Sequence, residues 1–200
     1  MKAVGAQISR RIQGRGRGAV WTPKDFLDLG SRAAVDQALR RLVQKGVLRR
    51  VDRGVYSYPT VSSRLGPLAP SPDAVAHAVA KATGSKLQVS GAKAANVLGL
   101  STQVPAKNVY LTDGPSRTVR VGRQTVQLKH ASARKLYGAG TGAGLALQAL
   151  RYLGPRGIDD RAVRTIGSQL NAADKRRLAR AKRMAPDWIR TAVDQIANKS

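Results

Sequence analysis

Residues 31–54, SRAAVDQALRRLVQKGVLRRVDRG, decide how the amino-terminal part of this chain is expected to fold. Ser31 is a typical helix-capping residue, and apolar side chains recur at helical spacing from Val35 to Val43, until Gly46 ends the pattern. Two alternating segments, 47–51 and 54–58, then follow and meet at a short polar turn, which is typical of a β-hairpin. The stretch therefore predicts a helix joined directly to a hairpin rich in arginine.

Two more helices are expected before this stretch. Val4, Ile8 and Ile12 lie at helical spacing and predict an opening helix that ends at the GRGRG run. Thr22-Pro23 predicts the start of a short helix over 23–29, which Gly30 ends. Three helices, the last two joined by a tight Gly-Ser turn, and then a two-stranded wing are typical of a winged helix-turn-helix. Residues 1–60 are expected to form this domain.

The third helix is expected to face DNA with the side opposite its apolar stripe. An arginine can contact the O6 and N7 atoms of guanine, and a glutamine can pair with the N6 and N7 atoms of adenine. Asp36 on this side favours an ion pair with an arginine four residues away. The wing arginines suit phosphates, which give affinity but little sequence preference. The residues expected to bind DNA are Ser31, Arg32, Gln37, Arg40, Arg49, Arg50 and Arg53.

An interaction with protein alone is the other interpretation of this domain, since winged helices also serve as protein-binding modules. That role does not require arginines at the tip of the wing. The DNA-binding interpretation is therefore favoured.

Charge supports a nucleic-acid partner. The chain has 36 lysines and arginines against 11 acidic residues, all aspartate, so its net charge is +25. The excess is spread along the whole sequence, and a chain this positive repels itself unless a polyanion neutralises it.

The sequence also lacks cysteine, which excludes disulfides and thiolate chemistry. It has no apolar run of membrane-spanning length and no signal-peptide core, so a cytoplasmic protein without a membrane partner is expected.

The remaining sequence predicts an α+β body. The Pro- and Ser-rich stretch around 61–72 predicts a linker, which places a second domain at 73–200. Helices over 72–83 and 91–100, strands over 86–90 and 108–114, and a hairpin that turns at Gly122-Arg123 follow in order. Beyond residue 132 the pattern is helical throughout. The expected fold class is thus α+β, with a winged helix-turn-helix first and a helical carboxyl-terminal region last.

Two long segments carry a family resemblance. TPKDFLDLGSRAAVDQALRRLVQKGVLRRVDRGVYSYP at 22–59 and SGAKAANVLGLSTQVPAKNVYLTDGPSRTVRVGRQTVQLKH at 90–130 resemble the AbiEi-like antitoxins of bacterial toxin–antitoxin systems, in a branch with an amino-terminal winged helix. The resemblance covers nearly the whole chain. It implies an antitoxin that represses its own operon, and a neighbouring nucleotidyltransferase-like toxin that modifies RNA such as tRNA. Neutralisation with and without stable toxin contact both stay open.

A homodimer is a further expectation, because inverted repeats in a promoter match two DNA-binding heads. Two other groups of cations are expected to contact RNA, DNA phosphates or an acidic toxin surface, and the sequence does not choose among these partners. They are Arg117, Arg120 and Arg123 on the second hairpin, and Lys175, Arg176, Arg177, Arg180, Lys182 and Arg183 near the carboxyl terminus.

Catalysis is not expected, because no nucleophile–base constellation and no paired carboxylates for magnesium are found. His77 and His130 are far apart and have no second ligand at helical spacing, so neither a metal nor another cofactor is expected. The GAGTGAG run at 138–144 lacks the Lys-Ser/Thr of a phosphate-binding loop and is interpreted as a flexible helix entry. Asp159-Asp160 is interpreted as a helix cap. An RNA-binding or ribosome-associated basic protein is the alternative function.

Overall fold

The computed structural model describes residues 4–198, which form two compact units. The first unit comprises the chain up to Ser85 together with Arg117–Gln127, and the second comprises Lys86–Ser116 together with the chain from Leu128 onward. Residues 1–3 and 199–200, at the outer ends of the two predicted domains, lie outside the described part. Helices and antiparallel strands are both present, so the predicted α+β class is confirmed.

The first unit begins with helices packed on a small sheet. The expected opening helix is α1, Val4–Arg15, and the expected third helix is α2, Arg32–Gln44. Three short antiparallel strands follow the order β1-β3-β2, with Trp21 and Arg50 both opposite Tyr56. The strands are β1 Val20–Trp21, β2 Arg49–Asp52 and β3 Val55–Ser57. Their shared core is Ile8, Ile12, Trp21, Phe26, Val35, Ala38, Leu39, Leu42 and Leu48.

The helix expected over 23–29 is instead one turn of 3-10 helix, Pro23–Phe26. The Asp25 carboxylate folds back and accepts hydrogen bonds from the Thr22 N–H at 2.8 Å and from the Thr22 hydroxyl at 2.9 Å. Ser31 has extended dihedral angles because it caps α2. Residues 23–30 lie between these two caps, and the structure forms a helical turn only over 23–26. The winged helix-turn-helix therefore stays a prediction, since its middle helix is a single short turn.

The arginine-rich hairpin is confirmed, but its first strand begins at Arg49 rather than at residue 47. The Val47 and Leu48 N–H groups both donate to the Leu42 carbonyl, so these residues form the turn that follows the end of α2. Gly46 has a φ of +69°, as helix-ending glycines often do. The wing is thus joined to α2 by a short turn over residues 45–48 that is hydrogen-bonded to the last turn of the helix.

The expected linker also contains structure. Strands β4, Val61–Ser62, and β5, Gly66–Pro67, pair as a two-stranded hairpin. The Ser62 hydroxyl accepts hydrogen bonds from the Arg64 and Leu65 N–H groups, both at 3.3 Å, and so forms the turn between them. This local serine turn explains a hairpin that apolar alternation did not reveal.

The two units do not divide the chain at the predicted linker. Helix α3, Pro72–Thr83, was expected in the second domain, but it belongs to the first unit. The Lys81 ammonium pairs with Asp25 at 2.7 Å, and the exposed fraction of the Asp25 side chain is only 9%. Strand β8, Arg117–Val121, and the start of β9, Gln124–His130, also lie in the first unit. Contacts between residues distant in sequence therefore decide where the units divide, and the Pro- and Ser-rich composition around 61–72 does not.

The second unit is mainly helical. Its expected strands are β6, Leu87–Val89, and β7, Asn108–Thr112, which pair antiparallel with Gln88 opposite Leu111. The expected helices are α4, Gly91–Val97; α5, Gly142–Leu153; α6, Asp160–Gln169; α7, Ala172–Ala181; and α8, Asp187–Asn198.

One long helical pattern, 171–197, is divided between α7 and α8. A 3-10 turn, Lys182–Met184, follows α7, and Ala185 then has extended dihedral angles. Pro186 explains the break, because a proline disfavours helical dihedral angles in the residue before it. The core of this unit includes Leu147, Leu150, Ile166, Leu178 and Ile189.

Candidate nucleic-acid interface

Helix α2 packs on the core with one side and leaves the other side exposed. Val35, Ala38, Leu39 and Leu42 are buried. At about 100° per residue, the opposite side contains Ala33, Gln37, Arg40 and Gln44, and all four are exposed. The predicted contacts Gln37 and Arg40 therefore share the outer side of the helix. Gln37 also borders a groove of about 530 Å³ between α1 and α2.

Ser31 fills the structural role that its position predicts. Its hydroxyl accepts a hydrogen bond from the Ala34 N–H at 3.3 Å and so caps α2. The residue is exposed. A cap at this end satisfies one of the free N–H groups of the helix, which leaves one hydroxyl with two proposed roles, capping and DNA contact.

The predicted ion pair of Asp36 is confirmed, and its partner is Arg32. The Arg32 Nε atom lies 2.8 Å from Asp36 Oδ2, and both side chains remain substantially exposed. Arg40, one turn further on, makes no ion pair among residues 4–198. Arg40 is thus the less restrained of the two arginines, because the guanidinium of Arg32 is already held by a carboxylate.

The wing presents its three arginines to solvent. Arg49, Arg50 and Arg53 are all exposed. The Arg53 N–H donates to the Asp52 carboxylate at 2.7 Å, and Gly54 completes the turn with a φ of +69°. That backbone conformation favours glycine over any side chain. The register also shifts between Arg50 and Asp52, so the hairpin contains a bulge.

A fourth arginine reaches this turn from far along the chain. Arg117, at the start of β8, donates from Nη2 to the Arg53 carbonyl at 2.6 Å and lies 3.7 Å from Asp52 Oδ2. The sequence marked Arg117 as a candidate but did not place it beside the wing, because 64 residues separate it from Arg53. Arg120 and Arg123 are exposed on the same hairpin. Alternation along β8 places Arg120 on the face opposite Arg117.

Arg11 links α1 to the 3-10 turn at 23–26 and to Asp28 just after it. The Arg11 guanidinium makes two hydrogen bonds to Asp28, at 2.8 and 2.6 Å, and a third to the Asp25 carbonyl at 2.8 Å. It also lies over the Phe26 ring at 5.9 Å. The hydrogen bond from Arg11 lowers the pKa of Asp28 below its ordinary value, and the same bond raises the pKa of Arg11. The short 3-10 turn is thereby tied to α1.

The carboxyl-terminal cations belong to the second unit. Arg176, Arg180 and Arg183 are exposed, and Lys175 is half-buried. Arg177 lies 3.6 Å from Asp174, and Lys182 pairs with Asp194. The predicted cationic run is therefore partly neutralised within its own unit.

Segment 134–137 adds cations that the sequence did not group with this run. The Arg134 Nε atom donates to the Met184 carbonyl at 2.5 Å, and the Tyr137 hydroxyl donates to the Arg177 carbonyl at 3.3 Å. Arg151 donates to the Lys135 carbonyl at 3.2 Å. The pKa of Arg151 is lowered, mainly by burial and to a smaller extent by repulsion from Arg134. Like charges are thus held close together in this unit.

A match over most of the chain identifies its family. A family model described as a family of unknown function, DUF6088, matches residues 7–178. The chain belongs to the DUF6088 family. No curated protein matches it.

Three glycines of the run expected to be a flexible helix entry, Gly138, Gly142 and Gly144, are closely packed in this DUF6088 chain. A Cβ atom on Gly144 would lie 2.1 Å from the Gly138 carbonyl oxygen. The Ala143 N–H donates to Asp174 at 3.3 Å, and the Gly144 N–H donates to the Thr141 hydroxyl at 3.3 Å. These protein groups occupy the start of α5, where a phosphate would otherwise bind.

The structure also bears on the expected helix cap at Asp159, on metal sites and on membrane spans. Asp159 caps α6 by accepting from the Ala162 N–H at 2.7 Å, as expected. No cluster of three or more His, Cys, Asp or Glu residues suited to a metal occurs within 4–198. Within the same range, every helix is too short or too polar to cross a membrane.

Sequence reasoning missed Gln44 as a member of the outer side of α2. The helical spacing that selects Gln37 and Arg40 also selects Gln44, so the periodicity alone could have found it. The position of Arg117 beside the wing carries no such local signal, because it depends on packing of β8 against β2. The interface candidates in the first unit are therefore the outer side of α2 and the arginine-rich hairpin.

Proposed function

We propose that this DUF6088 chain binds double-stranded DNA through its first unit and represses its own operon as the antitoxin of a toxin–antitoxin system. One observation carries the DNA-binding proposal: the outer side of α2 is exposed, and a short turn over residues 45–48 joins the helix to a hairpin with three exposed arginines. A helix can enter the major groove, and a wing beside it can contact the backbone.

The roles of the residues follow from their chemistry. Arg40 makes a bidentate contact with guanine, and Gln37 pairs with adenine, so these two residues read sequence. Arg49, Arg50 and Arg53 bind phosphates and provide salt-dependent affinity. Arg32 stays paired with Asp36, which limits it to a supporting contact. A homodimer places two such heads on the inverted repeats of a promoter in the cytoplasm.

The antitoxin part of the proposal is supported by the resemblance of residues 22–59 and 90–130 to AbiEi-like antitoxins. The partner is a nucleotidyltransferase-like toxin encoded beside this gene. The cations of the second unit, at 134–135 and 175–183, suit either an acidic surface of that toxin or a nucleic acid. Net charge of +25 is compatible with both partners.

Base recognition by α2 is tested by replacing Arg32, Gln37 and Arg40 together with alanine in the full chain. Binding to the promoter duplex and to a scrambled duplex of equal length is measured by fluorescence anisotropy. We expect the triple variant to lose most of its preference for the promoter. If affinity and preference both survive in a folded variant, α2 does not read the duplex.

An RNA-binding or ribosome-associated role is the competing outcome. Promoter duplex and a structured RNA of equal length compete for the full chain over a range of salt concentrations. A duplex reader keeps its preference as salt rises, because base contacts depend less on salt than phosphate contacts do. An RNA preference that persists at high salt would support the competing role instead.

The antitoxin role is tested with the neighbouring gene. Co-expression of this chain with the adjacent toxin should restore growth, and a pull-down then distinguishes direct binding from indirect neutralisation. Growth that stays arrested despite full expression of both proteins contradicts the antitoxin role. That result would leave the DNA-binding proposal unaffected.

A further inference from the structure

A concave site with an excess of hydrogen-bond donors lies within the first unit, away from the outer side of α2. Its cavity, of about 320 Å³, is bounded by the end of α1, by β1 and by α3. This volume is within the range of small-molecule sites in proteins. Apolar side chains form most of the lining, namely Ala19, Val20, Trp21, Ala74 and Ala78.

The polar groups around the cavity are almost all donors or cations. Arg15, His77 and Lys81 line it together with one acidic residue, Asp25. Both oxygens of Asp25 are already engaged: Oδ2 accepts two hydrogen bonds from Thr22, and Oδ1 pairs with Lys81. Arg15 and His77 are exposed and make no hydrogen bond or ion pair among the described residues.

The wall of the cavity also contains a buried hydrogen-bond donor that has no acceptor among the described residues. The exposed fraction of Trp21 is 8%, and its indole Nε1–H is buried without an acceptor in the described part of the chain. A buried donor that lacks an acceptor costs about 1–3 kcal/mol. The site therefore combines an apolar lining with unused donors on Arg15 and Trp21, while both oxygens of its one carboxylate, Asp25, are engaged.

We propose that this cavity binds a small organic anion, whose carboxylate or phosphate group is held by Arg15 and His77 while its apolar body packs against Trp21. The charge of the rim selects an anion over a neutral or cationic molecule. The apolar lining favours an organic anion over an inorganic one. The site is independent of DNA binding, since none of its lining residues belongs to α2 or to the wing.

The test uses the ¹⁵N-labelled full chain and the indole N–H resonance of Trp21. The chain has two tryptophans, so a Trp188→Phe variant assigns the signal. Benzoate, phenyl phosphate, inorganic phosphate and benzyl alcohol are titrated at constant ionic strength. We expect a saturable shift with benzoate or phenyl phosphate, a weaker response to inorganic phosphate, and none with benzyl alcohol.

Two substitutions make the result specific to the site. Arg15→Gln should weaken the binding of the aromatic anions by about tenfold or more, as expected for the loss of a hydrogen bond to a charged group. Arg10→Gln is the matched control, because Arg10 is exposed on the same helix but does not line the cavity. No shift with either aromatic anion, an equal response to benzyl alcohol, or unchanged binding by Arg15→Gln overturns the proposal.

Discussion

At the level of single residues, some arginines of the first unit are held by carboxylates and others are free to bind. Arg32, Arg117 and Arg11 each contact a carboxylate of their own unit, whereas Arg40 makes no ion pair within 4–198. An arginine held by a carboxylate must give up part of that pairing to bind DNA. The most sensitive single position in α2 is therefore Arg40.

Arg40→Ala tests this distinction. We expect the substitution to weaken binding to the promoter duplex by about 1–3 kcal/mol, or about 5- to 160-fold, because a bidentate base contact is lost. Anisotropy titrations of the full chain measure the change. Arg10→Ala removes the same charge from an exposed position on α1 and should change affinity much less. Equal losses in the two variants would show that only overall charge matters.

The ion pair between Arg11 and Asp28 gives the stability of the first unit a pH dependence. Because the folded-state pKa of Asp28 lies below its unfolded value of about 3.9, its contribution is present above that value. It is lost as pH falls through the folded-state pKa. Asp28→Asn should therefore lower the unfolding temperature more at about pH 7 than at about pH 2.

Thermal unfolding followed by circular dichroism measures this difference in the full chain. Asp187→Asn controls for the loss of one exposed carboxylate, because Asp187 is 93% exposed and pairs at 3.0 Å with Arg190 on its own helix. A change in unfolding temperature that is the same at both pH values would contradict the proposed role of the Asp28 pair.

At the level of helices and strands, substitutions of the α2 cap, Ser31, can distinguish its effect on stability from a contact with DNA. Ser31→Ala should lower the free energy of unfolding by about 1 kcal/mol, because one end of the helix loses its cap. Ser31→Asp should retain most of the stability, since aspartate is also a good cap, but its carboxylate should repel DNA phosphates. Urea unfolding and duplex titration measure the two effects. Duplex affinity unchanged in Ser31→Asp would remove Ser31 from the interface.

The wing is expected to supply affinity without sequence preference. Arg53→Ala should weaken promoter and scrambled duplexes to a similar extent, and the slope of log affinity against log salt should flatten by about one. Titrations at several salt concentrations measure this slope. Loss of preference with an unchanged slope would instead assign Arg53 to base contact. Arg10→Ala again serves as the charge control.

Local signals predicted most elements of this fold, because caps and apolar periodicity act within a few residues. Ser31 and Gly46 bound α2 as expected, and β6, α4 and β7 also follow in the predicted order. The 3-10 turn at 23–26 was missed, since it depends on Asp25 folding back onto Thr22. The position of Arg117 was missed for a related reason, because strand packing across 64 residues has no local signature.

At the scale of the whole molecule, charge and specificity are separate properties. A net charge of +25 attracts any polyanion, and that attraction weakens steeply as salt rises. Specific proteins typically bind their own sites about 10³- to 10⁷-fold more tightly than other DNA. Only a preference of this kind distinguishes a repressor from a generally basic protein.

The first unit contains α3 and the β8 hairpin in addition to the predicted head. Deleting the chain after residue 60 would therefore remove Lys81, which pairs with Asp25, and Arg117, which pairs with Asp52. Binding measurements are best made on the full chain.

The most direct measurement is the ratio of promoter affinity to scrambled-duplex affinity for the full chain across a range of salt concentrations. We expect a ratio of about 10³ or more that persists as salt rises, and we expect this ratio to fall to about one when Gln37 and Arg40 are both replaced by alanine. Equal affinity for the two duplexes at every salt concentration would contradict sequence-specific binding by α2.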